Sequence, residues 1–570
     1  MKHLMRSPVA TAAIVLFLGI PAGSQVTLRS VTRLVQITVI AQDAQGRPIN
    51  DLTRDDFLLF DSGHRRDIKV FTVDRGDRQP SPVVAAPPPD AAEHVFTNNS
   101  PERSGATGVT VILLDSLNTQ WTDQARAIRN VVRFLAEVHP DDHIAVYSIG
   151  QTGFRVLHDF TTDASDLVAR LASWNGEIPP ANARDMGDQL ANLLNGTATG
   201  PPLDQTTANQ TTVRGTKVNP NQVNSTLGVM EMLADRLAGV PGRKNVIWIS
   251  NGFPIVEWGN LAQAAISSKK PILYHSIDPR NNSNTVTDTI GDSMQFSNPV
   301  DRAMRVLIGA NVAIYPIETR GLKSYMPDAT GRRAPDRTQL GTPLDTVDDQ
   351  DDRQAMQKIA QRTGGRAFVL NNDLLGAMHT AADDSRVTYT LGFYPESALQ
   401  NGKFHAVAIK LATRRGVTLR YRQGYLDAPE APGDPQQRKH DLEQAALSPL
   451  DANAIPLAAR LSPTSGGSYL VNLNISLSGL NIQVDGDVWS GEVDVFLVQR
   501  DQRGQEFGRV NDTITMRLKQ ATYDRMLKTG APYRHEITLN PKAEVLRVAV
   551  RDARSGDLGS LTIPTKALPK

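Results

Sequence analysis

Cysteine is absent from all 570 residues. That one absence removes disulfides, thiol nucleophiles, zinc–thiolate centres, iron–sulfur clusters and a lipid-modified cysteine. A chain of this length does without staples because its cores are large. Charge of one sign is missing too. Lys and Arg number 61 against 60 Asp and Glu, a formal net charge of +1. No global field therefore draws the protein to nucleic acid or to an acidic surface. Beyond residue 20 there is no long apolar run, so no membrane span is expected in the mature chain.

Catalytic motifs are equally scarce. There is no G-x-S-x-G elbow, and "GVPGRKN" lacks Walker spacing, reading instead as a helix end and turn. The acidic run "DTVDDQDDR", 345–353, lacks the ligand order and central glycine of a calcium loop and reads as the charged start of a helix. His139 and His143 are separated by Pro140, so they cannot share a helix face as a metal pair. No catalytic residue is assigned, and no enzyme activity is expected.

What is present begins with an export pattern. Lys2, His3 and Arg6 precede an apolar run over residues 9–20, with small Ala22 and Ser24 before Gln25. Residues 1–24 read as a cleaved signal peptide, which implies a secreted or periplasmic protein; a retained anchor is the alternative. Residues 25–75 read as a small β module. "RLVQITVIAQD" alternates, and "DFLLFDSGHRRDIKVFTV" reads as strands around a Ser-Gly turn. Residues 76–107, rich in Pro and Ala, read as an extended linker.

Residues 108–395 alternate strand and helix signals. "GVTVILLD", "HIAVYSIG", "KNVIWIS" and "VAIYPIE" are apolar runs of strand length, and "RAFVL" reads as a further strand. After the first, Ala125, Ile128, Val131, Val132 and Leu135 recur at helical spacing, with Thr122 as N-cap and Pro140 as stop. Such alternation predicts a mainly parallel, doubly wound α/β sheet whose ligands bind beyond the carboxyl ends of the strands. Asp115, Ser250, Asn251 and Glu318 lie at those ends. Long polar insertions, 175–224 among them, interrupt the pattern. Residues 396–427 read as a β extension, 428–454 as a second linker, and 455–570 as a C-terminal β-sandwich-like domain.

The centre resembles a von Willebrand factor type A (VWA) domain. The likeness rests on the apolar strand ending in Asp115, the helix after it, and "GRKNVIWISNGFP" at 242–254. More specifically, "DAQGRPINDLTRDDF", "LLDSLNT", "VAIYPIETRGL", "TGGRAF", "YTLGFYPE", "GKFHAVAIKL" and "RYRQGYL" resemble the VWFA-related domain family of Acidobacteria over residues 35–426, and the terminal β region is similar. The resemblance implies a protein-binding face that often carries a metal-ion-dependent adhesion site, in which Mg²⁺ takes carboxylate, hydroxyl and water oxygens. Asp115, Thr119 and Thr226 are the implied metal ligands, with Ser225 beside Thr226 as an alternative or as a helix N-cap. Two positions depart from the pattern. Leu117 falls where the first Ser belongs, and Asn251 replaces an Asp. The plainer reading is that Asp115 and Thr119 hydrogen-bond loop amides without metal.

The sequence thus predicts an exported binding or scaffold protein that meets a protein partner through Asp115, Thr119, Trp121, Asn251 and Phe253. Trp248 is read as core packing and Trp258 as a further loop aromatic. The alternatives are a secreted hydrolase using the long loops and an inert structural envelope protein. Nothing in the sequence indicates the oligomeric state.

Overall fold

The computed structural model describes residues 34–75, 95–98, 109–139, 142–150, 153–161, 164–173, 212–213, 216–217, 220–240, 242–253, 275–277, 284–286, 300–321, 347–395, 404–426, 435–464, 468–501 and 504–568. The export segment, Trp258 and most of the 175–224 insertion lie outside these residues. The fold is mixed α/β, with one sheet that is largely parallel and several that are antiparallel.

In the central unit, Val109–Asp115 (β1), His143–Gly150 (β2), Lys244–Ser250 (β4) and Val312–Glu318 (β5) are mutually parallel, and Gly153–Thr161 (β3) returns antiparallel on β2. The spatial order is β5–β4–β1–β2–β3. Helices α1 (Trp121–Ala136), α2 (Ala164–Ser173), α3 (Pro220–Leu237), α4 (Val347–Thr363) and α5 (Leu374–Asp383) complete it, with a further helical run over residues 300–309. The inner strands β1, β4 and β2 are mainly apolar and buried because both sheet faces are covered, whereas the edge strand β3 is partly exposed and carries Arg155, His158 and Asp159. Val111, Leu113, Val246 and Trp248 meet α3, residues 300–309 and α4. Their neighbours Ile112, Leu114, Ile247 and Ile249 point the other way, onto α1, α2 and α5. The two-residue period of a strand sorts adjacent side chains to opposite layers.

Three local expectations are corrected. Helix α1 starts at Trp121, so Thr122 is inside it and Trp121 is helical rather than in a loop. Its first turn closes on the Gln120 carbonyl, which accepts from Asp123 N–H and Gln124 N–H at 3.0 Å each. Helix α3 starts at Pro220, a residue suited to a first turn because it has no N–H to satisfy. Ser225 and Thr226 therefore lie within the helix and neither is its N-cap. "RAFVL" forms a single parallel bridge, Phe368 to Ile317, rather than a strand.

The segments flanking this unit pair with each other. Val35–Gln42 joins Thr388–Phe393 and Thr418–Tyr421, and Val70–Asp74 joins the other edge of Thr388–Phe393. Phe57–Asp61 pairs with His64–Arg66 and with Phe404–Leu411. The hairpin between Phe57–Asp61 and His64–Arg66 turns on Ser62 and Gly63, both left-handed (φ 51° and 87°), as a two-residue turn with right-twisted strands requires. Ile37, Val39, Leu59, Tyr389, Leu391 and Phe393 fill one shared core. Fifty N-terminal residues alone could not bury that surface. Thr388–Phe393, within the span read as α/β, belongs by pairing to this β unit.

The C-terminal unit is a pair of antiparallel sheets. One holds Leu457–Pro463, Ser468–Ile475 and Ala531–Thr538. The other holds Val488–Arg500, Glu506–Lys519, Val545–Asp552 and Leu558–Pro564. Val95–Thr97, from the stretch read as linker, adds a strand to Leu457–Pro463. Asn98 then locks it. Its amide donates to the Ala452 and Ile455 carbonyls at 2.7 and 2.9 Å and accepts from Leu457 N–H at 2.7 Å. Pro435–Leu447, in the second span read as linker, is a helix whose Leu442, Ala445 and Ala446 pack on Phe496, Val498 and Ala549. Only that short apolar stripe distinguishes it from a solvated segment, which is why composition misses it.

At the amino end of β4, Lys244 is buried and its Nζ donates to the Val240 carbonyl at 2.8 Å. Burial drops its pKa from 10.5 to about 7. The unfolded chain is therefore charged here below 10.5 while the folded chain stays neutral down to about 7. Stability falls as pH drops through that window and is level below it. Lys244→Met is expected to raise stability by roughly 2 kcal/mol near pH 7, with the gain vanishing above about pH 10.5, read by urea denaturation at both.

Candidate functional site

The carboxyl ends of β1, β4 and β5 meet on one rim. In register, Leu114 lies beside Ile249 and Ser250 beside Glu318. Asp115, 2% exposed, is the centre of the first cluster. Its Oδ1 accepts from the Asn118 backbone N–H at 3.0 Å. Its Oδ2 accepts from Asn118 Nδ2 at 2.8 Å, Trp248 Nε1 at 3.0 Å and Ser250 Oγ at 3.0 Å. Burial pushes the Asp115 carboxyl above its ordinary value; the four donors oppose that rise without cancelling it.

Of the other residues expected here, Thr119 and Asn251 meet directly: Asn251 N–H donates to Thr119 Oγ1 at 3.2 Å. The Asn251 amide is engaged at both ends, donating to Asp123 Oδ2 at 2.7 Å and accepting from the Thr319 hydroxyl. Thr226 reaches the cluster through Asn118, whose Nδ2 donates to Thr226 Oγ1 at 3.0 Å. Phe253 is buried, with its ring edge on Trp248 at 5.4 Å, so it supports the rim from below and offers no surface to a partner. Trp121 opens α1 beside the rim. Trp248, read as packing alone, also donates to Asp115.

A second cluster surrounds Glu318, whose side chain is fully buried. Arg353 Nε lies 3.0 and 2.9 Å from its two oxygens, Arg320 Nε donates at 3.0 Å, and Leu370 N–H donates at 3.0 Å. Leu370 sits at φ 54°, a conformation that branched and bulky residues rarely adopt, and it is 43% exposed. Arg126 of α1 ties this side to the next loop through the Thr319 and Asn372 carbonyls, at 3.4 and 3.2 Å. Gly252 is needed where it stands, because a Cβ there would run into the Asp352 carboxylate of α4.

The implied Mg²⁺ can be tested against these donors. A hydrated dication needs open oxygen ligands in an octahedral shell. Here both Asp115 oxygens point at N–H and O–H donors, and the Asn118 amide stands between Asp115 and Thr226. Leu117 packs against the core, and Asn251 brings a neutral, occupied amide. Among the described residues no group of three His, Asp or Glu side chains is placed to hold a metal. As arranged, the set does not fit the ion. Sequence reading passed over Asn118; its signal was a side-chain amide three residues after a strand-ending Asp.

No family model matches the chain, and no curated protein sequence matches it. Solved structures show similarity, among them these two. An aerotolerance-related membrane protein from Bacteroides fragilis, with multiple mutations to serines, is 13% identical over 49% of this chain and 98% of its own, at a TM-score of 0.23. The VWA domain of SpRpn10 is 16% identical over 25% of this chain and 75% of its own, at a TM-score of 0.13. Among the described residues no helix is long and apolar enough to cross a membrane.

Proposed function

We propose that the chain is an exported, non-enzymatic VWA-like protein that recognises a protein partner through the strand-end rim of its α/β unit. The membership in the VWFA-related family of Acidobacteria and the envelope role belong to the same proposal, and rest on the sequence motifs and the export pattern. One observation carries the reading. Loops around 115–119, 250–253, 319–321 and 370–373 converge and are cross-tied by side chains, while Gln120, Leu370 and Asn372 stay exposed on them. A scaffold that fixes loops this firmly presents a pre-organised surface, which lowers the ordering cost of association. The acidic group at its centre is sealed by donors.

The test places a photo-crosslinking side chain at Gln120, whose own side chain makes no cap bond, and a second at Leu527, exposed on the C-terminal unit. A discrete protein adduct in envelope extracts is expected from position 120 and not from 527. Equal labelling at both positions, or none at the rim, would count against the proposal.

A further inference from the structure

We infer that the side-chain amide of Asn118 occupies the cation position of the rim, so that Asp115 and Thr226 form a divalent-metal site closed from within. The geometry fixes the orientation of that amide. Its NH₂ group has two hydrogens and two acceptors: Asp115 Oδ2 at 2.8 Å and Thr226 Oγ1 at 3.0 Å. Thr226 spends its own proton on the Gln222 carbonyl at 3.0 Å, which leaves its oxygen facing the amide as an acceptor. Turning the amide over would set its carbonyl oxygen against Thr226 Oγ1, whose proton is already given to the Gln222 carbonyl, so the nitrogen belongs where it lies. Asn118 also clamps the other carboxylate oxygen with its backbone N–H at 3.0 Å.

An NH₂ group with partial positive charge thus bridges a carboxylate and a hydroxyl, the two oxygen types a hard dication would bridge. Being covalently attached, it meets no competition from free ions at ordinary concentrations. Trp248 and Ser250 donate to the same Oδ2 that the Asn118 amide holds, so that oxygen is crowded with three donors. Asn118 is the residue whose replacement frees oxygen directions, because Trp248 and Ser250 approach from the adjacent strand. The inference takes only its location from the rim reading. Failure of crosslinking at position 120 would leave it untouched.

The test titrates Mn²⁺ into the full mature chain, with free ion read by electron paramagnetic resonance and melting read alongside. The wild type is expected to take up no Mn²⁺ that depends on Asp115, with Asp115→Asn as the comparison. Asn118→Asp puts a second carboxylate beside the first. It is expected to bind one additional Mn²⁺ at least tenfold more tightly than wild type and to melt higher with the ion than without it. Asn118→Ser, neutral and smaller, is expected to show a weaker gain, and decides the matter alone if Asn118→Asp does not fold. Asp115-dependent uptake by the wild type overturns the inference. So does the absence of any gain in every variant that folds.

Discussion

Asp115→Ala is expected to destabilise the α/β unit by about 3 kcal/mol, because it removes the acceptor of the buried Trp248 indole N–H and of the Asn118 backbone N–H, and leaves the Ser250 hydroxyl and the Asn118 amide with only the Gly252 carbonyl and Thr226 Oγ1. Loss of the buried charge offsets part of the damage, since burial raises the Asp115 pKa and so disfavours its ionised form. Water entering the space left by the carboxylate recovers one bond more readily than four. Asp115→Asn keeps the volume and one acceptor, so it should lose less. The pH trend distinguishes the charge from the shape. A carboxyl whose folded pKa is raised stabilises the fold fully below its unfolded pKa, and that contribution is lost as pH rises through the folded value. The advantage of wild type over Asp115→Asn should therefore be larger near about pH 4 than near about pH 8, read by denaturant midpoints at each.

Glu318→Ala is expected to cost more, about 3–5 kcal/mol, because removing one partner of a buried ion pair leaves an uncompensated charge. Here two guanidinium groups, Arg353 and Arg320, lose their shared carboxylate, and Leu370 N–H loses its acceptor. The last loss has a local signature. Leu370 is held at φ 54° beside that bond, so hydrogen exchange around 369–372 should accelerate beyond what the global loss of stability explains. Replacing Glu318 together with Arg353, as in Glu318→Leu with Arg353→Met, should recover part of the stability, since an apolar pair of similar volume avoids the desolvation penalty while Arg320 keeps Asp352 as a partner. A double variant as unstable as Glu318→Ala alone would mean that packing, rather than charge, governs the site.

The α/β layering was legible in the chain. Within Val109–Asp115 and Lys244–Ser250, residues 111–114 and 246–249 are apolar without a break, as suits strands covered on both faces. Local boundaries were less legible. Thr122 and Thr226 both carry cap-type side chains, yet both lie inside helices that start earlier on residues with weaker signals, Trp121 and Pro220. Of the rim, the strand ends at Asp115, Asn251 and Glu318 were visible, because a strand that stops at a polar residue marks itself. Phe253 was misplaced on the surface, because an aromatic after Asn-Gly resembles a loop residue until Trp248 is found against it.

By itself, the sequence determined which segments bury one face, which bury two and where the strands end, since hydropathy period depends only on neighbours along the chain. Tertiary structure alone decided that Val35–Gln42 pairs with Thr388–Phe393, that Val95–Thr97 completes a sheet built mostly after residue 457, and that Asp115 is satisfied by Trp248 and Ser250. The physical reason is the same in all three cases. A strand edge or a carboxylate oxygen accepts any donor of suitable geometry, so its partner is chosen by what else packs nearby, and local sequence carries no record of that choice.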